Sequence, residues 1–79
     1  MTNLDKYVGV FKECFSIEDE GVIQNLKYQA IPAWDSIGHM SLVSFLESEF
    51  NILIEMDDVI DFSDFQKGKL ILKKYGIEI

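Results

Sequence analysis

The sequence predicts an all-α fold, a small four-helix bundle, and three observations support this prediction. Three stretches place apolar residues at the three- and four-residue spacing of one helix face. Residues that cap or end helices stand at the limits of these stretches. The chain has 79 residues, enough for one domain, residues 1–79, around a single modest core. We expect three longer helices, a short third helix and a long structured first loop.

The first helix is predicted over residues 3–15, and Thr2 or Asn3 is placed to cap it. Charged residues occupy one face and apolar residues the other, the apolar set being Leu4, Tyr7, Val8, Phe11, Cys14 and Phe15. Because Cys14 is in the apolar stripe, we interpret it as a small buried hydrophobic residue and not as a reactive thiol. The chain has a single cysteine, so no internal disulfide forms.

Residues 16–35 form a long connection for a small domain. Their apolar content argues against a free loop, and we expect a short helical turn near residues 20–26 that rests on the helices. Pro32, the only proline, requires an extended segment before the next helix. Trp34 is predicted to anchor that segment by packing.

The second helix is predicted over residues 36–50, with Ser36 as its first residue or its N-cap. At 100° per residue the buried stripe is His39, Leu42, Val43, Leu46 and Phe50. The opposite side carries Gly38, Ser41, Ser44 and Ser48. Ile37 and Met40 are expected near the surface beside Ser36, and Phe45 is expected to close against the long loop.

The last third of the chain contains the short third helix, over residues 57–62, and the final helix. Asn51 is expected to end the second helix, and Val59, Ile60 and Phe62 are expected to point partly inward. Ser63 and Gln66 form a capping-box pattern at the start of the final helix. Its inward face is predicted to be Phe65, Gly68, Ile71, Leu72 and Tyr75. Gly76 is placed to terminate it, with Ile77 folding back.

The charge of the chain restricts its partners. Fourteen acidic residues face seven basic ones, all lysine, which gives a formal net charge of −7. This charge disfavours nucleic acid and anionic membranes and favours partners with basic patches. No apolar run approaches the roughly 20 residues of a membrane span, and the first residues lack the pattern of a signal peptide. We therefore expect a cytoplasmic monomer.

Ser36 is the candidate functional residue. At the start of a helix, an anion attached to its hydroxyl is stabilised by free backbone amides and the helix dipole. Asp35 stands beside it, placed to help a modifying enzyme position a metal ion or a basic side chain. Ile37 and Met40 offer that enzyme an apolar contact. A serine in this position is also an ordinary helix cap, so position alone does not decide its role.

The chain resembles the acyl carrier proteins, a family of phosphopantetheine-binding carriers, and the resemblance covers nearly its whole length. It rests on Asp35-Ser36-Ile37, on residues 46–50 and 52–54, which resemble the end of that family's second helix and the following loop, and on Asp57-Asp58 before a short helix. Small size, acidity and the absence of arginine agree with it.

The resemblance implies a carrier protein and not an enzyme. A phosphopantetheinyl transferase would move 4'-phosphopantetheine from coenzyme A to Ser36, making a phosphoprotein whose terminal thiol carries acyl groups as thioesters. Acyl-transferring or adenylate-forming enzymes would load it, and downstream synthases with basic patches would use it in lipid or secondary-metabolite biosynthesis. The implied cofactor-binding residues are Ser36 and Asp35, and the implied partner-recognition residues are Ile37, His39, Met40, Glu47, Asp57 and Asp58.

The sequence departs from the fatty-acid members of the family, which usually have Gly-Ala-Asp-Ser-Leu at the site. Here Trp34 replaces the small residue, and Glu47 and Glu49 are the only acids of the second helix. These differences favour a dedicated carrier of a specialised pathway, such as polyketide, peptide or surface-polysaccharide synthesis. The alternatives are a peptidyl or aminoacyl carrier, for example a D-alanyl carrier, and a four-helix interaction module without a prosthetic group.

Two further site hypotheses fail on the sequence. His39, one turn from Ser36 and with Asp35 nearby, suggests a hydrolase triad, but His39 projects towards the apolar stripe and nothing supplies an oxyanion site. Asp57, Asp58, Asp61 and Asp64 suggest a calcium loop, but the glycine and the terminal glutamate of an EF-hand are absent at the required spacing. No metal site is expected.

Overall fold

The computed structural model describes all residues, 1–79, and the all-α fold predicted from the sequence is confirmed. Five helices follow one another along the chain, and no strand forms. They are α1 (Asn3–Phe15), α2 (Glu20–Gln24), α3 (Ser36–Phe50), α4 (Met56–Asp61) and α5 (Phe65–Lys74). The bounds predicted for α1 and α3 agree with the structure. The extra helix, α2, is the helical turn expected within the first connection, and Asp19 caps it through the amides of Gly21 and Val22.

Helix α1 begins at a reciprocal cap. The Thr2 hydroxyl accepts from the Asp5 amide at 3.0 Å, and the Asp5 carboxylate accepts from the Thr2 amide at 3.2 Å. The structure thereby selects Thr2 over Asn3 as the cap. α1 packs chiefly against α3, and its inward face contributes five buried residues to the core: Tyr7, Val8, Val10, Phe11 and Phe15.

Aromatic side chains fill the centre of a single core of 17 buried residues. The Phe11 ring has edge-to-face contacts with Trp34 at 5.6 Å and with Phe65 at 5.2 Å between centroids. Phe15 stacks on Trp34 at 5.3 Å. Such pairs add roughly 0.5–1.5 kcal/mol each beyond the area they bury. Trp34 is fully buried, as the sequence predicted.

Two side chains pack directly on the backbone of α5 at Gly68. A Cβ atom there would lie 2.0 Å from the Tyr7 hydroxyl and 2.3 Å from the Phe62 ring, so only glycine fits. The Tyr7 hydroxyl donates to the Phe65 carbonyl at 2.7 Å, which satisfies the one polar atom of this buried ring. Gly76, with φ of +83°, follows the end of α5 as predicted.

Three local predictions are wrong. Asp64, not Ser63, caps α5, since its carboxylate accepts from the Lys67 amide at 2.6 Å. Gln66, the second member of the predicted capping box, instead donates its amide to the backbone of α2. The predicted inward position of Ile60 is also wrong, because Ile60 is 73% exposed. Phe45 borders a depression beside α1 and does not close against the long loop.

The first connection is joined to the α4–α5 turn by backbone hydrogen bonds. The Tyr28 amide donates to the Ser63 carbonyl at 2.8 Å, and the Phe65 amide donates to the Leu26 carbonyl at 3.0 Å. The two segments thus pair around an isolated antiparallel bridge between Lys27 and Asp64. This pairing fixes the residues that precede α3. The longest helix has 15 residues, and none of the five is both long and apolar enough to cross a membrane.

Candidate functional site

Ser36 is the first residue of α3, and its side chain is exposed. Asp35 is the N-cap, and its carboxylate accepts from the Gly38 amide at 2.8 Å. The His39 amide donates to the Asp35 carbonyl, so the amides of Ser36 and Ile37 are the donors of the first turn without a protein acceptor. Two free amides and the positive end of a 15-residue helix therefore lie beside the Ser36 hydroxyl.

Tyr28 is the residue at this site that sequence reasoning missed. Its hydroxyl lies 3.1 Å from the Ser36 hydroxyl, in a hydrogen bond in which either oxygen is able to donate. In the sequence, Tyr28 is one of several apolar or aromatic residues of the first connection. No sequence pattern links a tyrosine to a serine eight residues later, and only the folded connection brings them together.

The segment leading into α3 is fixed by close backbone contact at Gly38. The Ala33 carbonyl oxygen occupies the space of a side chain there, since a Cβ on Gly38 would lie 1.9 Å from it. Gly38 is therefore half-buried against this segment and does not belong to the open polar side of α3, where the sequence had placed it.

His39 is held inside the fold through both ring nitrogens. Its Nδ1 accepts from the Trp34 indole N–H at 2.9 Å, which leaves Nε2 as the protonated nitrogen that donates to the Val59 carbonyl at 2.8 Å. The imidazole thus ties the segment before α3 to α4. Neither nitrogen contacts Ser36, so the geometry contains no Ser–His pair of the kind a hydrolase requires.

Two grooves meet at Ser36 and Met40. The α3–α4 groove, of about 390 Å³, is mainly apolar and is lined by Tyr28, Ser36, His39, Met40, Met56, Val59, Ile60, Phe62 and Ser63. The serine groove, of about 660 Å³, runs along the outer face of α3 and is lined by Ser36, Ile37, Met40, Ser41, Ser44, Phe45 and Ser48. Ile37 is 79% exposed and Met40 is 50% exposed, as the sequence predicted.

Acidic residues are concentrated in the part of the chain that contains Ser36. No lysine occurs between Lys27 and Lys67, whereas the chain between them contains eight acidic residues, which include Asp35 and all the acids of α3 and α4. The seven lysines lie on α1, on α5, or in the first connection. Charge is therefore unevenly distributed along the chain, and the segment 28–66, which includes Ser36, is its most acidic part.

The acidic residues proposed for partner recognition differ in their surroundings. Asp58 is buried: it accepts from Lys74 and from the Tyr75 hydroxyl, both at 2.6 Å. The hydrogen bonds from Lys74 and then Tyr75 hold the pKa of the Asp58 carboxyl below its usual value. Glu47 is half-buried and accepts from the Ile54 amide at 2.9 Å. Asp57 alone is exposed and has no side-chain partner in the protein.

The residues that the resemblance implies for partner recognition differ in how far they are engaged within the fold. Both carboxylate oxygens of Asp58 and both ring nitrogens of His39 have partners within the fold, and one carboxylate oxygen of Glu47 does. Ile37, Met40 and Asp57 are the members of that set that the surface presents. The remaining polar residues offer no metal site, because no three His, Cys, Asp or Glu side chains cluster.

Cys14 is half-buried in the α1 stripe, and burial raises the pKa of its thiol. Ser36 is thus the nucleophile that combines exposure, free neighbouring amides and adjoining grooves.

No protein-family model matches the chain, and no curated protein and no solved structure matches it either.

Proposed function

We propose that this protein is an acyl carrier protein that receives 4'-phosphopantetheine on Ser36 and delivers acyl groups to partner enzymes. The observation that carries the proposal is the setting of the Ser36 hydroxyl. It is exposed at the first turn of α3, beside two unpartnered amides, at the meeting point of two grooves. The sequence resemblance of Asp35-Ser36-Ile37 to the attachment site of that family supports the same assignment.

The residues around Ser36 fit a phosphodiester. The amides of Ser36 and Ile37 provide donors for its negative charge, and the α3 dipole favours an anion at this end. In the attachment reaction the Ser36 oxygen forms a bond to the phosphorus of coenzyme A next to the pantetheine. The pyrophosphate bond breaks, the nucleotide leaves, and a base of the transferase takes the serine proton. When bound, the group supplies a terminal thiol that carries acyl groups as thioesters.

The α3–α4 groove favours an acyl cargo over an aminoacyl cargo. Six of its nine lining residues are hydrophobic, and Met40, Met56 and Ile60 are all at least half exposed to an incoming chain. An aminoacyl thioester keeps a free ammonium group, and no carboxylate lines the groove to hold it. Loading enzymes and synthases would meet Ile37, Met40 and Asp57 on an acidic surface, which a basic partner complements.

Incubation with coenzyme A and a broad-range phosphopantetheinyl transferase tests the proposal by intact mass. We expect the wild-type protein to gain the mass of one phosphopantetheine group and the Ser36→Ala variant to gain nothing. Ser41→Ala, on the same helix and also exposed, is the matched control and should gain the group as the wild type does. An unchanged wild-type mass would favour the interaction module without a prosthetic group.

Loading of the modified protein then distinguishes the cargo. Acyl-transferring enzymes should charge its thiol, whereas adenylating enzymes specific for amino acids should not. Charging by the amino-acid enzymes alone would instead support the aminoacyl carrier.

A further inference from the structure

Tyr28 is fixed in position by its backbone as well as by its ring. Its amide donates to the Ser63 carbonyl at 2.8 Å, and the next amide, of Gln29, donates to the Trp34 carbonyl at 2.9 Å. Gln29 has a left-handed backbone conformation, with φ of 67°. One peptide segment therefore contacts both the α4–α5 turn and the segment that leads into α3.

The Tyr28 ring is placed by two aromatic neighbours. It meets the His39 ring edge to face at 5.4 Å and the Trp34 ring at 6.5 Å between centroids. His39 is itself held at both nitrogens, so the ring rests on a fixed surface. Backbone and ring contacts together direct the Tyr28 hydroxyl to Ser36 at 3.1 Å, and the ring forms part of the α3–α4 groove.

From this geometry we infer that Tyr28 is a positioning residue whose hydroxyl donates a hydrogen bond to the phosphate carried on Ser36. The inference rests on the proposed function. Once Ser36 is modified, its oxygen has no proton, so the Tyr28 hydroxyl is the only possible donor in this contact. The charged phosphate oxygens are better acceptors than the ester oxygen and lie only two bonds from it. They are therefore within reach of a hydroxyl that is 3.1 Å from the Ser36 oxygen.

This hydrogen bond directs the attached arm into one of the two grooves. Tyr28 lines the α3–α4 groove and not the serine groove, although Ser36 borders both. A phosphate held by Tyr28 starts the attached arm on the side of Met56 and Ile60. Without the hydroxyl, the free amides of Ser36 and Ile37 still attract the phosphate, but they do not distinguish the two sides.

The test compares modified wild-type protein with the modified Tyr28→Phe variant by ³¹P NMR. The modified protein contains one phosphorus atom, so its resonance reports directly on the phosphate. Tyr28→Phe keeps the ring and its contacts with His39 and Trp34 while removing the hydroxyl. We expect the variant's resonance to move from the wild-type position and to become narrower, because the phosphate is more mobile.

Tyr75→Phe is the matched control, since it removes a hydroxyl that is hydrogen-bonded to Asp58 and Glu55 and not to Ser36 or Tyr28. Its ³¹P resonance should coincide with that of the wild type. A Tyr28→Phe resonance that also coincides with the wild type would overturn the inference. Absence of any ³¹P signal and of the mass increase in the wild type would instead remove the proposed function, and these two failures are distinguishable.

A measurement on the wild type alone keeps the inference testable if the variant does not fold. A nuclear Overhauser effect should connect the Tyr28 ring protons next to the hydroxyl with the first methylene of the arm. Arm contacts to Ser41 and Ser44 in the serine groove, with none to Tyr28, would contradict the inference.

Discussion

Replacing Gly38 by alanine tests how the start of α3 is built. The Ala33 carbonyl oxygen lies 1.9 Å from the position of the added methyl carbon, whereas real contacts of this kind do not fall below 3.0 Å. The carbonyl must move by the difference, and it belongs to backbone that cannot rotate away as a side chain would. The same segment carries Trp34, which is buried, and Asp35, which caps the helix.

The expected magnitude follows from three opposing contributions. Alanine is favoured over glycine in a helix by about 1 kcal/mol. Forcing an extra methyl into a packed position costs about 1–3 kcal/mol. Displacing Asp35 weakens its 2.8 Å bond to the Gly38 amide, a cap that contributes about 1 kcal/mol. The net effect of Gly38→Ala is a loss of about 1–3 kcal/mol in the free energy of unfolding, a fall of at least about 4 °C in Tm for a domain of this size.

Thermal denaturation followed by circular dichroism measures this effect against a matched control. Gly9 lies within α1, and a Cβ there meets no atom within 4 Å. Gly9→Ala should therefore raise Tm by about 4–8 °C, the opposite sign from Gly38→Ala. If Ser36 is the modified residue, Gly38→Ala should also slow its modification, because Ser36 moves with the displaced segment. A Gly38→Ala protein as stable as Gly9→Ala would refute the proposed packing of Ala33 on α3.

Three further outcomes follow from the electrostatics of the fold. Lys74 and Tyr75 lower the pKa of the Asp58 carboxyl, so their hydrogen bonds to the ionised carboxylate stabilise the folded state. This stabilisation is complete above the ordinary aspartate pKa of about 4, and it disappears as the pH falls through the lowered pKa of the folded state. Asp58→Asn should thus be less stable than the wild type at pH 7, and this difference in the free energy of unfolding should shrink below about pH 4. The exposed variant Asp57→Asn is the control and should be as stable as the wild type. Cys14 should react with maleimide more slowly than a free cysteine because burial raises its thiol pKa, and equal rates would refute its placement. Finally, the net charge of −7 should make Tm rise between about 10 mM and 100 mM salt, because salt screens the repulsion between like charges. Over this range the Debye length falls from about 30 Å, comparable with the 29 Å extent of the molecule, to about 10 Å. A Tm that does not change with salt would count against self-repulsion.

The helices are the part of this protein that its sequence specifies most directly. The apolar spacing of α1 and α3 gives their bounds because each helix buries one face, and the period of that face is local information. Capping was less predictable, because both Ser63 and Asp64 are good caps by type. The structure selects Asp64, whose carboxylate accepts from the Lys67 amide. The exposure of Ile60 also depends on which side of α4 faces the core.

The same distinction between local and long-range information applies to the residues of the candidate site. Ser36, Ile37 and Met40 were predictable, since their exposure follows from the helical projection of α3. Tyr28 and the buried state of Asp58 were not. The first depends on pairing of the first connection with the α4–α5 turn, and the second depends on contacts between α4 and α5. Contacts between residues distant in sequence leave no periodic pattern in the sequence.

Site-resolved mass spectrometry after reaction with coenzyme A and a phosphopantetheinyl transferase tests the central claim most directly. Helix α3 presents four serines, Ser36, Ser41, Ser44 and Ser48, and all are exposed. We predict that the phosphopantetheine group is found on Ser36 alone, because only this hydroxyl lies beside the free amides of the first turn. A protein that remains unmodified, or one modified at the other serines with Ser36 free, would contradict the assignment of this chain as an acyl carrier.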